Sequence, residues 1–382
     1  MQLRYYQSEA ISKAIDHINK SPVIVLPTGA GKSIVIKEIA SNINDNILVL
    51  QPNKEILEQN YLKYRQHSSD CAIFSASCNS KEINRVTYAT IGSIVHKAHL
   101  FDNFQTIIID ECHLVDAQDG MYCKIINTLN TKIIGLTATP YRMHTTLKFG
   151  STTKMITRTR PKLFNFIAYN VNPLELINNG FLSKLKYFNV KMLNTNELQQ
   201  NLNKSEFTNQ SINNMINNKK NDISLFLRDI SSQHSSILVF SPSIDFSIRL
   251  ANYLLYHNIN CATIDSNLSK EEREAILTKF KQQKIKIVIN VGVLTTGFDF
   301  PELDCIVMLR PTMSISLYYQ MIGRGLRIAD KKAFCTIYDL CQNVNRFGKI
   351  ENFVIDGESG KENLFSFING SRAQLTHINK YF

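Results

Sequence analysis

The segment Leu26-Pro27-Thr28-Gly29-Ala30-Gly31-Lys32-Ser33 combines small residues with one cation and one hydroxyl. It follows the apolar run Val23–Leu26 and opens the helix-like stretch Lys32–Ile43, the strand–turn–helix setting of a phosphate-binding loop. Gly29 and Gly31 let the loop's backbone N–H groups, among Thr28, Ala30 and their neighbours, turn onto phosphates, and the helix N-terminus adds positive potential. Lys32 can reach β- and γ-phosphates, and the Ser33 hydroxyl suits Mg2+. Leu26 stands where the usual GxxxxGK[ST] pattern has its first glycine, so the match is imperfect at the residue farthest from the phosphates. Asp110 and Glu111 end the apolar strand Thr106–Ile109, where ligands of parallel α/β sheets bind. Asp110 is placed to hold Mg2+, directly or through water, and Glu111 to polarise an attacking water. A third segment, Gln320-Met321-Ile322-Gly323-Arg324-Gly325-Leu326-Arg327, sets two arginines three apart, on one face of a helical stretch. Arginines brought to ATP from another lobe stabilise the transferred phosphoryl group. Lys32, Glu111, Gln320, Arg324 and Arg327 form the expected catalytic set. A phosphate loop alone would serve a nucleotide kinase; with the distant arginines it implies two lobes that close on ATP.

The elements that must carry these residues alternate regularly. Val23–Leu26, Ile47–Leu50, Ile107–Ile109 and Ile133–Leu136 read as buried strands separated by helical stretches. The pattern resumes at Ile237–Phe240, Cys261–Ile264, Ile285–Asn290, Cys305–Leu309 and Cys335–Tyr338. Such alternation predicts parallel sheets covered on both faces. The boundaries read as a first domain over 1–165, a linker with a helical insert over 166–230, a second domain over 231–345 and a short tail over 346–382. At 382 residues the chain is long enough for two domains. No apolar run approaches the ~18–20 residues of a membrane span, and the N-terminus lacks a secretory signal's apolar stretch. The expectation is a cytoplasmic protein. The eight cysteines show no CxxC pair, so reduced thiols without zinc are expected. A net charge of +11 favours a polyanionic partner.

Taken in order, these segments resemble the motifs of superfamily 2 helicases of the DExH type, over most of the chain. Asp110-Glu111-Cys112-His113 is similar to the family's DExH box. Arg4-Tyr5-Tyr6-Gln7 resembles its adenine motif, which implies base recognition by Gln7 and Arg4. Leu50-Gln51-Pro52-Asn53 and Tyr88-Ala89-Thr90 resemble motifs Ia and Ib, implying backbone contacts from Pro52, Asn53 and Thr90. Leu136-Thr137-Ala138-Thr139-Pro140 resembles motif III, so Thr137 and Thr139, with His113, would couple ATP state to strand binding. Phe240-Ser241-Pro242 resembles motif IV and Val291–Asp299 motif V, implying strand contacts from Ser241 and Thr295 and nucleotide contacts from Gly297 and Asp299. The resemblance implies two RecA-like, doubly wound parallel-sheet domains in tandem, with ATP and nucleic acid bound at or across the cleft between them. Thr139-Pro140-Tyr141-Arg142, Leu174–Leu182 and Gly323–Arg327 are similar to the type III restriction helicase-subunit-like branch, including RadD-like and phage-borne DNA helicases. The chain departs from RadD-like proteins in having no cysteine-rich zinc module.

The family's backbone contacts imply little sequence specificity. Between Tyr141 and Leu174 no acid occurs, while Arg142, Lys148, Lys154, Arg158, Arg160 and Lys162 do. This stretch reads as a phosphate-tracking surface, with Lys154, Arg158 and Arg160 its central cations and Gly150-Ser151 the tip of a loop or hairpin. The expected protein is an ATP- and Mg2+-dependent DNA helicase or translocase, monomeric and acting on forked or branched DNA. An RNA helicase, and an ATPase that moves without separating strands, are the alternatives.

Overall fold

Runs such as Pro22–Val25, Ile47–Gln51 and Thr106–Asp110 are buried at every position. Only strands covered on both faces need such unbroken apolarity. The computed structural model describes residues 2–376 apart from 118, 147–149 and 295–297. Thr295 and Gly297 of the expected site, and Lys148 of the acid-free stretch, therefore lie outside the described residues.

The first sheet has eight strands in the order Phe166–Asn170, Pro22–Val25, Lys132–Thr137, Thr106–Asp110, Ile47–Gln51, Val86–Thr90, Cys71–Ser75 and Ser80–Lys81. All pairings are parallel except that of the short last strand. The second sheet is parallel throughout, in the order Lys184–Asn189, Phe334–Asp339, Cys305–Met308, Ile237–Phe240, Ile287–Asn290 and Cys261–Ile264. Among the described residues no helix is long and apolar enough to cross a membrane.

Sheet membership moves the expected boundaries. Phe166–Asn170 pairs with Pro22–Val25 and finishes the first sheet, and Lys184–Asn189 pairs with Phe334–Asp339 at the edge of the second. The first domain thus runs past 165, the second sheet begins well before 231, and the crossover is the short stretch 171–183. Both strands are sheet edges with half-exposed residues, so they lack the apolar runs that betray central strands. The helices Asn209–Asn217 and Lys220–Ser231 of the presumed linker pack Ile212, Met215, Ile223 and Leu227 into the second core.

The tail is not a loose end either. Val354–Asp356, Asn363–Ile368 and Ser371–Gln374 form an antiparallel sheet. It docks on the first lobe through Glu362, which accepts from Thr157 Oγ1 at 2.9 Å and from the Ile167 amide at 3.2 Å.

The two lobes are in direct contact. The Ser316 hydroxyl donates to the Tyr141 carbonyl at 3.0 Å and the Ser183 amide to the Leu326 carbonyl at 2.7 Å. Gly323 lies so close to the phosphate loop that a Cβ there would sit 2.9 Å from Thr28 side-chain atoms. Only glycine fits.

Candidate active site

The strand Pro22–Val25 delivers the chain to Pro27, and helix Lys32–Asn42 begins after Gly31 at φ +87°. A side chain at Gly31 would collide with Gln7, 2.5 Å away. Lys32 Nζ lies 3.5 Å from Glu111 Oε1. Glu111 itself adopts φ +49°, a left-handed conformation that costs a non-glycine residue about 1–3 kcal/mol and clusters at functional sites. That twist turns its carboxylate toward Lys32, while Asp110, the residue before it, receives Asn60 Nδ2 at 3.4 Å. Burial raises Asp110 above the ordinary carboxylate range, and the charge of Glu111 adds to it. Burial alone would raise Glu111 too, but Lys32 and the hydrogen-bonded His113 hold it well below that range. One carboxylate is therefore firmly ionised beside Lys32.

Arg324 and Arg327 reach this cleft from the other lobe. A cavity of about 550 Å³ is lined by Lys32, Ser33, Asp110 and Glu111 on one side and Asp299, Gln320, Arg324 and Arg327 on the other. Arg324 Nη1 donates to the Phe298 carbonyl at 2.8 Å, and Arg327 Nε pairs with Asp299 at 2.5 Å. Burial lowers the pKa of both arginines, with Arg327 adding to the effect on Arg324. Cations so placed are stabilised when an anion enters.

His113 joins the lobes. Its Nδ1 is 2.8 Å from Thr137 Oγ1, 3.2 Å from Thr139 Oγ1 and 3.3 Å from Glu111 Oε2, while its Nε2 is 3.4 Å from Gln320 Nε2. The expected coupling residues thus form one chain of contacts from the acid that would orient water to the helix Ile315–Gly323, which leads into the arginines.

The structure redistributes several expected roles. Gln7 is buried, its amide donating to the Ala30 carbonyl at 3.0 Å, so it braces the loop from behind and does not line the cleft. Arg4 does line it, with its guanidinium 4.8 Å above the Phe181 ring. Pro52 and Asn53 line a second cavity of about 520 Å³ with Arg142, Ser314, Ser316 and Gln320; Asn53 also caps its helix by accepting from the Ile56 amide. Thr90 is tied to Ser75 and Ser93 through its hydroxyl. Ser241 is a correction: it is 0% exposed, and among the described residues its hydroxyl has no partner. It terminates the apolar strand Ile237–Phe240 inside the lobe and cannot touch a strand at the surface. Arg158 is anchored rather than free to swing: its Nη1 donates to the Lys361 carbonyl and to Asn363 Oδ1 of the C-terminal sheet at 3.2 and 2.9 Å.

Gln59, Asn60, Lys63 and Phe181 of the cleft lining were not expected. Gln59, Asn60 and Lys63 share one face of the helix Lys54–Arg65 with Ile56, and Lys63 Nζ donates to Ser33 Oγ at 2.7 Å. Their three- and four-residue spacing was the available signal. Phe181 carried none, being placed by the turn after helix Pro173–Asn178.

Residues 1–142 match the family described as "Type III restriction enzyme, res subunit" and residues 218–329 the "Helicase conserved C-terminal domain". The provisionally named ATP-dependent helicase IRC3 of Saccharomyces cerevisiae is 27% identical over 88% of this chain, which spans 51% of that protein's length. The "DNA 3'-5' translocase XPB2" of Sulfurisphaera tokodaii is 25% identical over 87% of this chain and 80% of its own. Among solved structures, a fragment assigned to the HsdR subunit of a type I restriction enzyme from Vibrio vulnificus superposes with a TM-score of 0.66 at 20% identity, covering 90% of this chain and 65% of that one.

Proposed function

We infer the function of this chain from its membership of the superfamily 2 helicases, in their restriction-helicase branch: it couples ATP hydrolysis to movement along DNA. The observation that carries this reading is that Lys32 and Glu111 of one lobe and Arg324 and Arg327 of the other wall a single cleft. In the derived mechanism ATP enters with its phosphates against the loop Thr28–Ser33, and Lys32 leaves Glu111 for the β- and γ-oxygens. Ser33 and Asp110 supply the hard oxygen ligands suited to Mg2+, which would neutralise charge on those oxygens. Glu111 orients the attacking water, and the two arginines stabilise the charge of the transferred phosphoryl group. Once the γ-phosphate is gone, the attraction across the cleft falls and the lobes can reopen, moving a bound strand by a step. Arg4 and Phe181 offer a cation and an aromatic face for the adenine. All these residues come from one chain, so a monomer suffices.

The similarity to the Sulfurisphaera tokodaii DNA translocase supports DNA as the track. Contacts through Pro52, Asn53 and the cleft mouth address a phosphate backbone and so give little sequence preference. Forked or branched DNA is the substrate we expect to be remodelled. The test is steady-state ATP hydrolysis with single-stranded DNA, forks, four-way junctions and RNA, run beside a strand-separation assay. Stimulation is expected with DNA, strongest with branched forms. Stimulation by RNA alone would reverse the choice of strand. No stimulation by any nucleic acid would defeat the reading.

A further inference from the structure

A third cavity, of about 390 Å³, opens beside the hairpin formed by Tyr141–Thr146 and Gly150–Met155, away from the ATP cleft. Its lining includes Arg142, His144, Lys154, Arg158, Arg160 and Asp116. Among the described residues Asp116 is the one carboxylate there, and it sits 3.1 Å from an Arg142 nitrogen. Lys154 is 6% exposed and, among the described residues, has neither an acceptor nor an ion pair. That enclosure lowers its pKa, so its charged form gains when an anion enters. Register deepens the puzzle: Arg142 and Lys154 are directly opposed across the hairpin, and His144 lies two residues along the same face. Like charges so opposed destabilise a strand pair. The His144 Nδ1 is also buried without a partner among the described residues. A cavity that gathers cations, leaves one of them unpaired and orphans a ring nitrogen is incomplete until an anion fills it.

The position of the cavity suggests the anion's source. Arg142 and Met143 line it and also line the cavity at the cleft mouth that holds Pro52, Asn53, Ser314 and Ser316. We propose that the pocket walled by Arg142, His144, Lys154 and Arg160 receives a backbone phosphate of the nucleic-acid strand as it leaves the cleft mouth. This rests on the nucleic-acid-dependent activity inferred above and adds a place where the strand is gripped outside the usual motifs. Arg158, braced by the C-terminal sheet, supplies field without leaving its partners. The hairpin then serves as the pocket's wall, and its charge pattern is the reason the strand turns there.

The test uses the full chain and Lys154→Met, which keeps the side-chain volume and removes the charge. Binding of a fluorescent single-stranded DNA oligonucleotide is followed across salt concentration, together with thermal unfolding without DNA. The variant should bind about five- to ten-fold more weakly at low salt and lose about 0.7 from the slope of log K against log salt, the share of one single-strand phosphate contact. Its unfolding temperature should hold or rise, because no native ion pair is lost. Wild-type affinity and slope in the variant would overturn the pocket, as would a lower unfolding temperature with unchanged binding, which would make Lys154 structural. If Lys154→Met fails to fold, Arg160→Gln is subjected to the same slope measurement with the same two outcomes. If wild-type protein itself binds no nucleic acid, the helicase reading falls together with the pocket; if it binds and is stimulated while the variants match it, the pocket alone falls.

Discussion

Lys63 Nζ donates a hydrogen bond to Ser33 Oγ at 2.7 Å. The hydroxyl suited to Mg2+ is thus held by a lysine from a helix that sequence reading did not connect with the site. Burial lowers the pKa of Lys63, partly offset by Asp299. A divalent ion and an ammonium cannot share Ser33, so Mg2+·ATP must displace Lys63. A net hydrogen bond is worth about 1 kcal/mol, so Lys63→Met should bind Mg2+·ATP about five-fold more tightly. The readouts are anisotropy with a fluorescent ATP analogue and the thermal shift on adding Mg2+·ATP. Weaker binding would mean that Lys63 contacts phosphates and is not a placeholder.

Glu111→Gln separates binding from hydrolysis. The amide retains the shape and can still meet Lys32 through its oxygen, but it cannot orient water as a carboxylate does. Hydrolysis should fall about 10²- to 10⁴-fold while ATP affinity changes little. Arg324→Ala should cost about 10³- to 10⁵-fold in kcat, and Arg327→Ala less, because Arg327 Nε is committed to Asp299 at 2.5 Å. Single-turnover hydrolysis and equilibrium ATP binding measure both. Persistent hydrolysis in Glu111→Gln would remove the assigned mechanism.

What sequence could and could not reveal follows from how each residue is placed. Lys32 and Glu111 are fixed by the turns that follow their own strands, and Arg324 by the helix it directly follows, so local pattern sufficed. Lys63 and Phe181 reach the cleft only through packing of one element on another. Gln7 sits at the expected place but turns its amide to Ala30, a choice of hydrogen-bond partner that spacing does not encode. The edge strands Phe166–Asn170 and Lys184–Asn189 are half-exposed, and so they merged with the apparent linker. In the C-terminal sheet a signal was present: Asn369 and Gly370, at φ +51° and +79°, join two antiparallel strands. Asn-Gly is a strong marker of a tight hairpin.

The burial of Ser241 gives a prediction opposite to the family expectation. Its hydroxyl is enclosed and unpartnered, a state that costs about 1–3 kcal/mol. Ser241→Ala should leave DNA affinity unchanged and raise stability by about 1 kcal/mol. Oligonucleotide anisotropy and urea unfolding check the two halves separately. A weaker complex would show that the lobe opens enough to present this hydroxyl to the strand.

Asp339 makes the second lobe respond to pH against the usual direction. It ends the strand Phe334–Asp339, fully buried, and accepts from the amides of Cys341 at 3.0 Å and Val344 at 2.6 Å. Burial outweighs those bonds and the nearby Arg346, and pushes its pKa up to about 6 from 3.8. A carboxyl whose folded pKa lies above its unfolded one binds its proton more tightly when folded. Folding therefore gains from it as pH falls through about 6, and the gain levels off only below the unfolded value. Between pH 7 and pH 5 wild-type protein should gain on the order of 1 kcal/mol relative to Asp339→Asn, whose amide does not titrate. Urea midpoints of both proteins at the two pH values, taken as a double difference, isolate this residue from every other titrating group. A double difference of zero, or one in which the wild type loses ground at pH 5, would show that Asp339 is solvated or paired in solution as an ordinary carboxylate.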